Sequence, residues 1–238
     1  MLTTIDLGDI TVQVVRKDIR NVHLSVHPPI GRVRLAAPLQ MSLDTIRLFA
    51  IAKLGWIRQQ QRKLCEQERE SPREHINRES HYVWGRRALL KIVEANAAPS
   101  VQMRHRALVL TVRPHADAVM REAAIAGWYR NLLRIAVPPL IEAWEPRLSV
   151  SVKGFFVQQM KTRWGSCNPQ TGTIRLNTEL AKKPRECLEY IVVHEMVHLL
   201  EPTHSARFTE LLTGVMPQWP HYRSTLNRLP VRHEHWGY

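Results

Sequence analysis

The chain has 238 residues, 44% hydrophobic and 23% charged, enough apolar material for a core and a composition that excludes disorder as the dominant state. No run approaches the ~18 apolar residues of a membrane span, and the opening MLTTIDLGDI lacks the basic start and apolar stretch of a secretory signal, so the expected address is the cytoplasm. The net charge of +13 is uneven: residues 1–115 hold 19 Lys and Arg against 10 Asp and Glu, leaving a smaller excess for residues 116–238.

Strands come first. Ile10, Val12 and Val14 alternate with other residues, as do Val22, Leu24 and Val26, and then Val33 and Leu35. The segment His27-Pro28-Pro29-Ile30-Gly31 supplies turn chemistry, because two prolines cannot feed a central ladder. A small antiparallel sheet is the simplest account. A helix follows, with Ser42 as N-cap and Leu43, Ile46, Phe49, Ala50, Leu54 and Ile57 at helical spacing. Arg58, Arg62 and Lys63 near its end form a basic patch with two readings: a nucleic-acid contact, or a solvated basic surface. Glu66–Ser80, charged and almost without apolar residues, reads as an exposed connection or a frayed helix end. Short strand-like runs return at Leu89–Val93 and Leu108–Val112, and no internal repeat is visible. Cys65, Cys167 and Cys187 are too few and scattered for a disulfide framework, and no CxxC pair supports a thiolate zinc site.

The second half, residues 116–238, opens with a helical pattern from about Ala116 through Val119, Ala123, Ala124, Trp128, Leu132 and Ile135. Pro138-Pro139 should interrupt or restart it, since neither proline donates a helical hydrogen bond. Strands are expected at Leu148–Val152, at Phe155–Met160 and around Ile174 and Leu176. Pro184 then suits the first turn of a new helix.

That helix carries the chemistry. His194 and His198 lie four apart, one above the other, where both imidazoles can face a single ion. Glu195 between them can reach a metal-bound water without being a ligand. Pro202 should end the helix near Leu200 or Glu201, letting the chain turn back and present His204 as a third nitrogen. Three protein ligands and one open position suit a catalytic zinc, whereas a structural zinc is closed by four. The bland reading is a set of core or capping histidines that bind nothing. The metzincin pattern HExxHxxGxxH has the same spacing, but Glu201 stands where its glycine would be.

Further residues carry a wider resemblance. Lys161-Thr162-Arg163-Trp164-Gly165-Ser166-Cys167, Ile174 with Leu176-Asn177, Val192-Val193-His194-Glu195 and His204-Ser205 with Phe208 resemble the YgjP-like metallopeptidases, relatives of SprT. Ala37-Pro38, Trp56-Ile57 and Trp128-Tyr129 fit as well, so the resemblance spans nearly the whole chain. It implies an α+β fold in which an N-terminal sheet and helix (1–115) precede a zincin-like, mainly helical catalytic core with a small sheet (116–238). It also implies Zn2+ on His194, His198 and His204, with Glu195 as base, but no known substrate; a peptide or protein is the expected one.

Gly165 can let a substrate backbone approach an edge strand, and Arg163 can stabilise an oxyanion or hold a substrate carboxylate or phosphate. The plainer reading makes Trp164 core filling, Gly165 a packing relief and Arg163 the partner of an acid. Tyr222 or His221 can supply a further donor. Two other functions stay open: hydrolysis of nucleotide phosphoanhydrides, and proteolysis recruited to nucleic acid. The tail His233–Tyr238 reads as a mobile terminus rather than a second metal site.

Overall fold

Alternation of buried and outward residues organises the first sheet, which is formed by β1 (Leu2–Asp6), β2 (Thr11–Lys17), β3 (His23–His27) and β4 (Arg32–Pro38). Val12 and Val14 of β2 and Val33, Leu35 and Ala37 of β4 point to one buried face. The strand order is β1-β2-β4-β3, and the central β2–β4 pair is parallel while both outer pairs are antiparallel. The expected all-antiparallel sheet is therefore corrected to a mixed one. Local alternation specifies which face a strand buries but carries no information about the direction of its neighbour.

The structure is a computed structural model that describes residues 2–27, 31–66, 73–160 and 163–229. The turn at Pro28–Ile30, much of the charged connection, Lys161-Thr162 and the His233–Tyr238 tail lie outside the described residues. Ser42 caps α1 (Leu43–Ala52) by accepting from the Thr45 amide at 3.2 Å. The helix breaks at Lys53, and α2 (Leu54–Glu66) continues. Ile46, Ala50 and Ile57 cover the sheet, whereas Leu43, expected among them, is exposed. Arg58 is tied to Asp9 at 3.0 Å.

The chain divides into two compact units, one within residues 1–70 and the other within 71–232. The division expected near residue 115 thus falls inside the second unit. A second four-stranded sheet, β5 (Ser80–Val83), β6 (Arg86–Glu94), β7 (Ser100–Arg104) and β8 (Ala107–Val112), has the order β5-β6-β8-β7. Its outer pairs are antiparallel and its central pair parallel, the same plan as the first sheet, so the fold contains a repeat that the sequence conceals. Val83, Leu90, Leu108, Leu110 and Val112 of this sheet belong to the core that holds the metal helix. A strand-rich stretch followed by a helix-rich one reads as two domains, but the surface that buries the strands decides.

The long helix α3 (Ala118–Leu148) starts at the cap Asp117, whose carboxylate accepts from the Met120 amide at 2.7 Å. It runs through Pro138 and Pro139 without the expected break, and the expected strand at Leu148–Val152 is instead its C-terminal turn and loop. Ile125, Tyr129, Leu133, Val137 and Ile141 recur every four residues on its buried face, on both sides of the prolines. That packing outweighs two missing hydrogen bonds. Val119 and Ile135, part of the helical pattern, are exposed. No described helix is long and apolar enough to cross a membrane.

The third sheet comprises β9 (Gly154–Gln158), β10 (Gly165–Asn168) and β11 (Thr173–Asn177) in the order β10-β11-β9, which leaves β10 at an edge. A 3-10 turn at Thr178–Lys182 follows. The β5–β6 hairpin docks on it: Trp84 and Gly85 both take positive φ, and their amides donate to the Ala181 and Lys182 carbonyls at 2.9 and 3.1 Å. Three helices complete the unit: α4 (Arg185–Val197), α5 (Ala206–Val215) and α6 (Trp219–Arg228).

Candidate metal centre

Helix α4 is apolar on almost every face. Leu188, Ile191, Val192, Val193, Met196 and Val197 are all buried, which forces its few polar side chains to find one another. The helix ends at Val197, with His198 as C-cap still in helical conformation, so His194 and His198 stay one turn apart. The chain then turns through Glu201 and Pro202. Glu201 does not take a positive φ, so this turn needs no glycine. The Glu201 carboxylate accepts from the amide and hydroxyl of Thr203 at 3.3 and 2.8 Å, which stiffens the approach to His204.

The outcome is a triad of imidazoles. One ring nitrogen from each of His194, His198 and His204 lies within 4.8 Å of the others, and the His194 and His204 Nε2 atoms are 3.0 Å apart. His198 Nδ1–H donates to the Glu201 carbonyl at 3.0 Å, which leaves its Nε2 lone pair for an ion. Burial, with the neighbouring histidines and Arg223, holds His194 down to about 3, so it stays neutral as a ligand must. Burial, with His198 and Arg223, also lowers His204. Three imidazole nitrogens grouped this closely fit a divalent cation of the zinc type.

Phe208 is the floor of this triad. Its ring centroid lies 4.9, 4.5 and 4.9 Å from those of His194, His198 and His204. Ser205 fixes it by capping α5, accepting from the Phe208 amide at 3.2 Å. Tyr190, one turn before His194, meets that ring edge-on at 5.8 Å. Sequence reasoning quoted Ser205 and Phe208 but gave them no task. Their signal was the N-cap spacing from Ser205 to the amide three residues on.

Glu195 follows His194 directly on α4. It is 4% exposed, and burial pushes its carboxyl up to about 8 against the opposing pull of Arg163. Its neighbour is the edge strand: a Cβ placed on Gly165 would stand 2.5 Å from Glu195 Oε1. The Glu195 carboxyl thus fills the space beside Gly165, which is the packing relief that the plainer reading of this glycine expected. Gly165→Ala is expected to fold and keep its metal, yet to push the carboxylate aside and lose on the order of 10²-fold in kcat. Steady-state kinetics with metal analysis on the same preparation checks it, and unchanged kcat would deny the contact any role.

Asn177 braces the segment before this strand. Its side-chain amide donates to the carbonyls of Met160 and Arg163 at 2.9 and 2.8 Å, and its own amide donates to the Trp164 carbonyl at 2.8 Å. Trp164 is half-buried against the core, as the packing reading expected. The Arg163 side chain is exposed and has no ion-pair partner among the described residues, though its charge acts on the Glu195 carboxyl. Cys167 and Cys187 are free, and burial raises both thiols to about 11. Tyr222 turns its hydroxyl to Gln218 at 2.9 Å and His221 is exposed, so neither reaches the triad through a hydrogen bond. Arg223, which the sequence did not single out, places its charge near His194 and His204.

Comparison with known proteins identifies the family. The model of the YgjP-like, metallopeptidase domain family matches residues 20–229, and the chain belongs to that family. It is a metallopeptidase, and so a hydrolase. Among solved structures it is similar to the metallopeptidase zymogen of Pyrococcus abyssi abylysin, at 24% identity over 40% of this chain and 99% of that one, with a TM-score of 0.35. It is also similar to the metallopeptidase zymogen of Methanocaldococcus jannaschii jannalysin, at 21% identity over 38% of this chain and 92% of that one, with a TM-score of 0.33. No curated protein matches the sequence.

Proposed function

We propose that this metallopeptidase is zinc-dependent, with His194, His198 and His204 as ligands and Glu195 as general base in the hydrolysis of peptide bonds. The juxtaposition of three converging imidazoles with a buried carboxylate at an edge strand carries this reading. Zinc, when bound, supplies Lewis acidity that lowers the pKa of a water towards ~7 and polarises a carbonyl.

The chain's own residues do the rest. Glu195 Oε1 or Oε2 accepts the proton of the attacking water and returns it to the departing amine. Arg163 favours the charged form of that carboxylate, offsetting part of the burial that raises its pKa. The free edge of β10 offers backbone amides and carbonyls to an extended peptide, which the register of a strand would align across the site. Phe208 and Tyr190 hold the imidazole planes fixed, and a site that is already arranged loses little energy in reorganising.

The reading is tested by the products formed when purified, zinc-loaded protein meets a mixed peptide library and nucleoside triphosphates together. New peptide amino termini that disappear on chelation are expected. Phosphate or pyrophosphate release without peptide cleavage would replace this reading with phosphoanhydride hydrolysis.

A further inference from the structure

Two exposed guanidinium groups, Arg163 and Arg223, belong to elements that pack at the site. Arg163 lies two residues before Gly165, at the start of the edge strand, with its backbone held by Asn177 and its side chain exposed. Arg223 lies on α6. Its Cζ is 5.9 Å from the Trp219 ring centroid, Trp219 stacks on Tyr190 at 6.5 Å, and Tyr190 packs on His194. Arg223 thus stands on an aromatic ladder that leads to the first metal ligand, and it too is exposed.

Among the described residues neither arginine has an ion-pair partner. The acids closest in sequence to the triad are otherwise engaged: Glu195 is buried against Gly165, and the Glu201 carboxylate is held by Thr203. Exposed guanidiniums without an ion-pair partner among the described residues favour negatively charged occupants and repel cationic ones.

Resting on the peptidase reading, we propose that Arg223, together with Arg163, receives a carboxylate of the substrate beside the scissile bond, so that acidic peptides are the preferred class. The planar fork of each guanidinium suits a carboxylate in bidentate contact. That carboxylate belongs either to an Asp or Glu side chain or to the free C-terminus of the peptide.

The test compares kcat/KM for matched peptides bearing Glu or Lys around one cleavable bond, each with an amidated and a free C-terminus. Wild type is expected to favour Glu by about tenfold. The Glu-to-Lys ratio should collapse towards one in Arg223→Gln and invert in Arg223→Glu, a swing of about a hundredfold. Preference among amidated peptides places the carboxylate on side chains, and preference for the free terminus alone places it at the chain end. Anisotropy of a labelled Glu peptide on the Glu195→Gln protein gives a binding readout independent of turnover, and its affinity should weaken with salt and with Arg223→Glu. Metal content and melting temperature of each variant exclude misfolding as the cause. Equal cleavage and equal affinity for Glu and Lys peptides overturn the carboxylate assignment and leave the peptidase reading intact. Tight, salt-sensitive binding of the Glu peptide with no cleavage by wild type would support the assignment and remove the peptidase reading.

Discussion

Glu195→Gln is expected to fold, take up zinc in full, bind peptide, and lose about 10²–10⁴-fold in kcat. The substitution keeps the size and the hydrogen-bonding outline of the side chain while removing the proton acceptor. Its environment makes the test clean. The carboxyl is 4% exposed and sits against Gly165, so an isosteric amide fills the same space without disturbing the strand. Burial already disfavours the charged form, so exchanging it for a neutral amide should not cost the metal-free protein stability. A role in transition-state chemistry predicts equal falls in kcat and kcat/KM, since ground-state contacts survive. Loss of zinc from the variant would instead make Glu195 a support for the metal, and full activity would deny it the base role.

The site was legible where chemistry demands a fixed spacing. Two histidines one helical turn apart, a glutamate between them and a third histidine after a proline-limited turn need only the geometry of a helix and its end. Ser42 and Asp117 show the same at helix starts, though only the first was read as a cap. What the sequence hid were properties set by neighbours. The pairing sense of β2 and β4, and of β6 and β8, depends on which strands meet, and nothing in a single strand records it. Pro138 and Pro139 argue locally for a break, but Val137 and Ile141 are buried on either side and the helix continues. Gly165 announced a close approach without saying to what, and only the fold reveals that Glu195 occupies the space. Arg223 has no motif around it. Its importance arises from Trp219 and Tyr190, which stack only once α4 and α6 have packed.

His204→Ala should show the second large effect, on the metal itself. His204 is the exposed member of the triad and the one off helix α4, so its deletion leaves the α4 packing untouched. The remaining pair, His194 and His198, cannot supply the three nitrogens a stable catalytic site needs. Zinc content is expected to fall from about one per chain to a small fraction after dialysis. The readout on stability is independent of turnover. A metal held only by the folded state stabilises it by about 2.7 kcal/mol when the free ion is at 100 times its Kd, and this increment should vanish in the variant. Thermal melts of wild type and His204→Ala, with and without added zinc, separate this from a general loss of fold, because the metal-free midpoints should agree. His221→Ala serves as the control, being an exposed histidine on α6 with its ring against Tyr222 rather than in the triad. It should keep both the zinc and the zinc-dependent rise in melting temperature. If His204→Ala also kept them, the two helix histidines would need a different third partner, and the turn from Glu201 to Ser205 would lose its place in the site.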